Sequence, residues 1–267
     1  MQILFSFIMV MLGASIGSFL SVVIPRLKYR EKGIVTGRSK CQHCKNTLSA
    51  KELIPLVSYI FLQGKCRYCK AKIGLWYPMI ELFTAASFLL VFSKWNPLES
   101  NPEMSPLILW LTFLLFLIYA TILIGTFFYD LKYMEVPDAL LVPGIILALT
   151  ATILPTTPVL IDALIGSLIP LGFFGLQIII SKGKWMGLGD LRIGVFMGLI
   201  LGWESVIVAL ILSYLIGAIV SSYILLSQKG TLKTRIPFAP FLVIGTFISI
   251  FLGKNLIDWY LKIIHFS

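Results

Sequence analysis

Charged residues and histidines are both scarce in this chain. Only 13% of its 267 residues are charged, and its two histidines are His43 and His265. So little charge cannot supply the solvated surface of a soluble domain. No serine–histidine or cysteine–histidine set for nucleophilic catalysis stands out. No glycine-rich nucleotide-binding fingerprint follows a strand, so no cofactor pocket is read from the sequence. The first apolar run lacks a basic segment before it, which predicts a retained span in place of a cleaved signal peptide.

Apolar residues are abundant, at 58% of the chain. Runs of this length cross a hydrocarbon core about 30 Å thick as helices. The runs are continuous, not alternating, which argues against the closed β-barrel, the other backbone-satisfying way to span lipid. The expected fold is therefore all-α and polytopic, embedded in the bilayer. Eight spans are read at 2–24, 76–93, 107–129, 138–155, 159–180, 191–202, 204–226 and 237–257. The sixth is short, and its Gly194, Gly198 and Gly202 form a face for close helix packing. Small residues between Gly13 and Ser18 predict tight packing of the first span.

Of the 22 Lys and Arg residues, 19 fall in alternate loops, twelve of them in 26–72. The positive-inside rule makes those loops cytoplasmic and places the N-terminus outside. Topology accounts for the net charge of +10, so no nucleic-acid partner is needed. Four segments follow: a first span (1–25), a polar loop (26–75), a second span with an external loop (76–106), and a membrane domain (107–267).

All four cysteines lie in the polar loop, as Cys41-Gln-His-Cys44 and Cys66-Arg-Tyr-Cys69, with 21 residues between the pairs. Two C-x-x-C units present four thiolates to one tetrahedral ion, the chemistry of structural zinc. Disulfides or redox-active thiols are the other use, less suited to a reducing cytosol. A closed four-sulfur shell leaves no position for water, so the metal is expected to hold the loop's shape.

Ionisable groups at a bilayer are costly and are functional-site candidates by default. Asp130 closes one apolar run, and Asp190 opens another within Met186-Gly-Leu-Gly-Asp190. The topology puts both acids on one side at one depth. Gly187 and Gly189 are expected to let a substrate strand lie close to the backbone. Two adjacent carboxyls titrate as a pair, one taking a proton from water while the other polarises a carbonyl. Asp138 is expected as the N-cap of the fourth span, and Glu135 as a solvated charge. Glu81 is the acid to consider for an amine or cofactor in the first half, with pairing to a loop lysine the plainer alternative. Pro237 and Phe238 either border a substrate cleft or serve as ordinary helix-start and packing residues. Two further functional classes fit membrane acids and a metal loop: a proton-coupled transporter, and a non-catalytic scaffold for secretion machinery.

The combined motifs resemble the type IV prepilin peptidases, leader peptidase/N-methyltransferases among the G-x-G-D membrane aspartic proteases. The resemblance runs nearly end to end. It rests on Gly17 to Leu27, the paired cysteines, Ile54 to Tyr59, Gly64 to Arg67, Tyr77 to Leu82, Asp130 with Val136-Pro-Asp138, Met186 to Asp190, and Pro237-Phe-Ala-Pro-Phe241. It implies Asp130 and Asp190 as a catalytic dyad cleaving prepilin or pseudopilin leaders after glycine at the cytoplasmic face of a bacterial inner membrane. It also implies methylation of the new N-terminus by S-adenosylmethionine, associated with the cysteine loop. Ser21, Gln42, Arg192 and Ala239 stand where the family often has Asn, Pro, Lys and Gly. None of these departures is expected to touch the dyad. The oligomeric state is left open.

Overall fold

The computed structural model describes residues 2–30, 37–98, 104–227 and 235–265; these are mostly helical, joined by short turns, and the cysteine loop carries two isolated β-bridges. Eight helices follow in order: α1 (Gln2–Tyr29), α2 (Val57–Phe61), α3 (Trp76–Lys94), α4 (Pro106–Tyr133), α5 (Asp138–Ala151), α6 (Leu160–Ser181), α7 (Leu188–Leu226) and α8 (Ala239–His265). Six of them (α1, α3, α4, α6, α7 and α8) are long and apolar enough to cross a membrane. The expected count of eight spans differs at two places. The fourth expected span, α5, has only 14 residues, about 21 Å at 1.5 Å per residue. The sixth and seventh are two limbs of α7. The basic segment at 228–234 and part of the polar loop, 31–36, lie outside the described residues.

The chain divides into two compact units, Met1–Gly125 and Thr126–Ser267. In the first, α1 packs on α3. A Cβ at Gly13 would lie 2.7 Å from Ala85 Cα, and one at Gly17 would lie 2.6 Å from Glu81 Cα. Glycines four residues apart thus let α1 rest on the α3 backbone, where dispersion contacts hold two apolar helices together. Trp95 stacks on Phe116 with ring centroids 3.7 Å apart, joining the end of α3 to α4.

In the second unit α7 packs against α5, α6 and α8. The small-residue face of its first limb is used as expected. A Cβ at Gly198 would sit 2.1 Å from the Gly166 carbonyl oxygen, and Gly194 abuts Pro170 and Phe174. Gly202 breaks α7 with φ 77° and ψ 176°, a conformation open almost only to glycine. The second limb then begins at Trp203, whose backbone N–H donates to Asp162 Oδ1 at 3.0 Å.

Candidate active site and metal centre

Asp130 occupies the last turn of α4, and Asp190 the first turn of α7. Their carboxyls lie close enough for the charge of one to act on the other. Asp130 is buried, and its Oδ2 accepts the backbone N–H of Ala239 at 3.2 Å. Ala239 is the first residue of α8, so a carboxylate faces the positive end of a helix, a favourable electrostatic position. Asp190 Oδ2 accepts the N–H of Gly187 at 3.4 Å across its own turn. Three helix ends therefore meet around two acids. Ala239, one of the departures, thus meets Asp130, but through its backbone N–H, which a glycine there would supply equally. A residue's backbone reaches its partner whatever side chain it carries, so sequence comparison hides such contacts.

The glycines of the Met186–Asp190 turn differ from each other. A Cβ at Gly189 would lie 2.5 Å from Val136 Cγ2, whereas one at Gly187 meets nothing nearer than 3.9 Å. Gly189 is thus a close-approach position between this turn and the segment after Asp130. Neither glycine has a positive φ. Asp138 is not the N-cap of α5: Pro137 holds that place, and Asp138 is the first helical residue. Its carboxylate pairs instead with the Arg192 guanidinium, tying the starts of α5 and α7. Glu135 is exposed. Phe238 sits among aromatic rings, 5.1 Å from Tyr214 and 6.5 Å from Phe174 between centroids. Tyr214 exchanges hydrogen bonds with Gln177 and senses the Asp190 charge. Tyr214 carries no local signal in sequence beyond an aromatic residue on a helix.

The cysteine loop is built from two copies of one turn. Each reads Lys-Cys-x-x-Cys-Lys, closed by the bridges Lys40 to Thr47 and Lys65 to Lys72. In each, the lysine after the second cysteine donates its N–H to the carbonyl of the first at 2.9 Å and takes a left-handed backbone, φ 59° at Lys45 and 58° at Lys70. The lysines flanking each C-x-x-C pair carry this internal repeat in the sequence itself. The four Sγ atoms lie within 4.8 Å of one another, with Cys41 and Cys69 at 3.9 Å. Four bonds of about 2.3 Å to a tetrahedral zinc separate the sulfurs by about 3.8 Å, so the donor set fits that ion. The N–H of Cys44 pulls the Cys41 thiol down to about 6, against the effect of burial. Cys44 goes the other way, to about 11: the Asn46 N–H favours its thiolate, but burial and the neighbouring sulfurs outweigh it. Thiols this close titrate as one set.

The loop is tied to α3 at two points. Gln42 Nε2 donates to the Tyr77 hydroxyl at 2.9 Å. The Leu56 N–H donates to Glu81 Oε2 at 2.7 Å. Glu81 is buried, and among the described residues it has no ion pair with a lysine.

Six apolar helices, two acids gathered at helix ends and a four-thiol loop define a multi-pass membrane protein with a carboxyl-pair site. Residues 117–222 match the Type IV leader peptidase family, and residues 11–95 match the Bacterial Peptidase A24 N-terminal domain. Among curated proteins, the prepilin leader peptidase/N-methyltransferase of Aeromonas salmonicida (strain A449) is 31% identical over 93% of this chain and 91% of its own length. That of Pseudomonas aeruginosa is 30% identical, over 97% of this chain and 94% of its own length. That of Bacillus subtilis (strain 168) is 27% identical, over 96% and 97%. No solved structure gave a significant match. The chain belongs to the prepilin leader peptidase/N-methyltransferase family. The transporter and scaffold alternatives are not favoured.

Proposed function

We propose that this protein cleaves the leader of type IV prepilins or pseudopilins and then methylates the new N-terminus with S-adenosylmethionine. Asp130 and Asp190 form the peptidase dyad. One carboxyl takes a proton from water as the water attacks the scissile carbonyl. The other polarises that carbonyl and then protonates the leaving amine. Gly187, Gly189, Pro237 and Phe238 border the bound substrate strand. Cys41, Cys44, Cys66 and Cys69 hold a structural zinc ion. The dyad lies at the cytoplasmic face of the inner membrane, where basic loops are retained.

The observation that carries this reading is the approach of the Asp130 and Asp190 carboxyls in a chain of this family. The test is a mass-resolved assay of the purified protein in lipid, with a prepilin and S-adenosylmethionine, beside Asp130→Asn and Asp190→Asn. Loss of the leader mass followed by the gain of one methyl, with both variants inserted and inactive in cleavage, is the expected result. Cleavage by either variant overturns the dyad.

A further inference from the structure

One turn before Asp130 on α4 stands Thr126, fully buried at 0% exposure. Its hydroxyl has no hydrogen-bond partner among the described residues. Other helix threonines place the same group by donating back one turn. Thr84 donates to the Ile80 carbonyl at 2.7 Å, Thr121 to Leu117 at 2.8 Å and Thr246 to Leu242 at 2.7 Å. That local bond is open to any threonine inside a helix, and of these four only Thr126 forgoes it. A buried hydroxyl left unpaired is costly, so its presence calls for a cause.

Asp130 is short of partners in the same way. It is buried, and among the described residues the one hydrogen bond it accepts is that of the Ala239 N–H on Oδ2. An ionised carboxyl has about four acceptor sites. Residues four apart share a helix face, with Cβ atoms about 5–6 Å apart. Cα–Cβ bonds tilt toward the helix N-terminus, which brings the Asp130 side chain toward Thr126. A gap too wide for a direct hydrogen bond, with a polar group at each end, suits one bridging water.

We propose that Thr126 is a positioning residue for the dyad, its hydroxyl sharing one water with the Asp130 carboxyl. The inference rests on the peptidase half of the proposed function. A hydroxyl both donates and accepts, so the bridge serves either protonation state of the acid. The water donates to the carboxylate when Asp130 is ionised and accepts from the carboxylic acid when it is not. With Ala239 on Oδ2, the acid is then held from two directions while the proton moves. Thr126 itself does not touch the substrate.

The test compares leader cleavage by zinc-loaded, full-length variants in nanodiscs over a range of prepilin concentrations, with thermal unfolding giving the folded fraction. Thr126→Val keeps the shape of the side chain and deletes the hydroxyl. It should lower kcat about tenfold, as the loss of one hydrogen bond to a charged group implies, with KM within about twofold because substrate binding is not involved. Thr126→Ser keeps the hydroxyl and should hold kcat near that of the wild type. Thr126→Ala, compared with the serine variant, repeats the comparison without a branched side chain and should again be the slower. An unchanged kcat in Thr126→Val overturns the inference, and a higher unfolding midpoint beside it marks the hydroxyl as a mere unpaired group. Equal loss in the serine and valine variants also overturns it, giving the role to the packing of the methyl. A rise in KM at constant kcat overturns it by making Thr126 a substrate contact. Asp130→Asn separates the two readings. Cleavage by that variant overturns the dyad and this inference with it, whereas an inactive Asp130→Asn beside a fully active Thr126→Val overturns the inference alone.

Discussion

The backbone N–H of Ala239 donates to Asp130 Oδ2 at 3.2 Å, across 109 positions of sequence. The start of α8 thereby holds one acid of the pair in place. Ala239 is the first helical residue, where proline is tolerated because its missing N–H has no intrahelical acceptor. Ala239→Pro therefore deletes this hydrogen bond while sparing the helix. A hydrogen bond to a charged group is worth about 1.5–3 kcal/mol, so leader cleavage should slow by about ten- to a hundredfold. Ala239→Gly keeps the donor and should cleave normally. Initial rates on one prepilin decide it; equal rates for the proline and glycine variants would remove the contact from the mechanism.

Gly189 and Val136 form a second contact that sets the site. A methyl at 189 would enter Val136 at 2.5 Å, and overpacking of this kind costs about 1–3 kcal/mol. Gly189→Ala should lower both thermal stability and cleavage. Adding Val136→Gly removes both the Cγ2 and the Cβ, which would lie 2.8 Å away, and should restore much of each. Gly187→Ala, with open space around it, should leave stability unchanged. A double variant no better than Gly189→Ala alone would mean that the glycine serves the substrate and not this packing.

How much of this was legible beforehand depended on the range of the interaction. Apolar runs, small-residue faces and C-x-x-C spacing are local, and the helices, the Gly13 and Gly17 crossing on α3 and the thiol cluster follow them. The Asp138 pairing with Arg192 spans 54 positions, and no periodicity encodes it; a capping rule is local, whereas this carboxylate's partner lies on another helix. The join of the sixth and seventh spans escaped because glycine at 202 looks the same in a loop and in a break between two limbs of one helix. Among the described residues no lysine pairs with Glu81, the plainer of the two readings for it. Loop lysines are plentiful, but the group that reaches the carboxylate is a backbone N–H.

The metal centre makes a separate prediction. The two Lys-Cys-x-x-Cys-Lys turns have too little apolar surface to hold themselves, so the ion supplies much of their stability. Purified protein should carry about one zinc per chain, as four thiolates on one tetrahedral ion require. Cys41→Ser or Cys66→Ser should lower that content severalfold. Chelation should expose the loop to a lysine-directed protease at Lys45 and Lys70. Protection that survives full removal of zinc would show that the loop folds without it.

Asp162 and Gly202 give the last prediction. The Asp162 carboxylate accepts the N–H of Trp203 at 3.0 Å, capping the second limb of α7 from the first turn of α6. Caps of this type contribute about 0.5–2 kcal/mol. Asp162→Ala should lower the unfolding midpoint in detergent by a few degrees, while Asp162→Asn, which retains an acceptor, should lose less. Gly202→Ala should be worse than either, since its Cβ would lie 2.5 Å from Asp162 Oδ2 and its φ of 77° resists a side chain. Combining Gly202→Ala with Asp162→Ala relieves the steric part but not the backbone part, so partial recovery is expected. Full recovery would make the break a matter of space alone, and no recovery would make it one of backbone conformation.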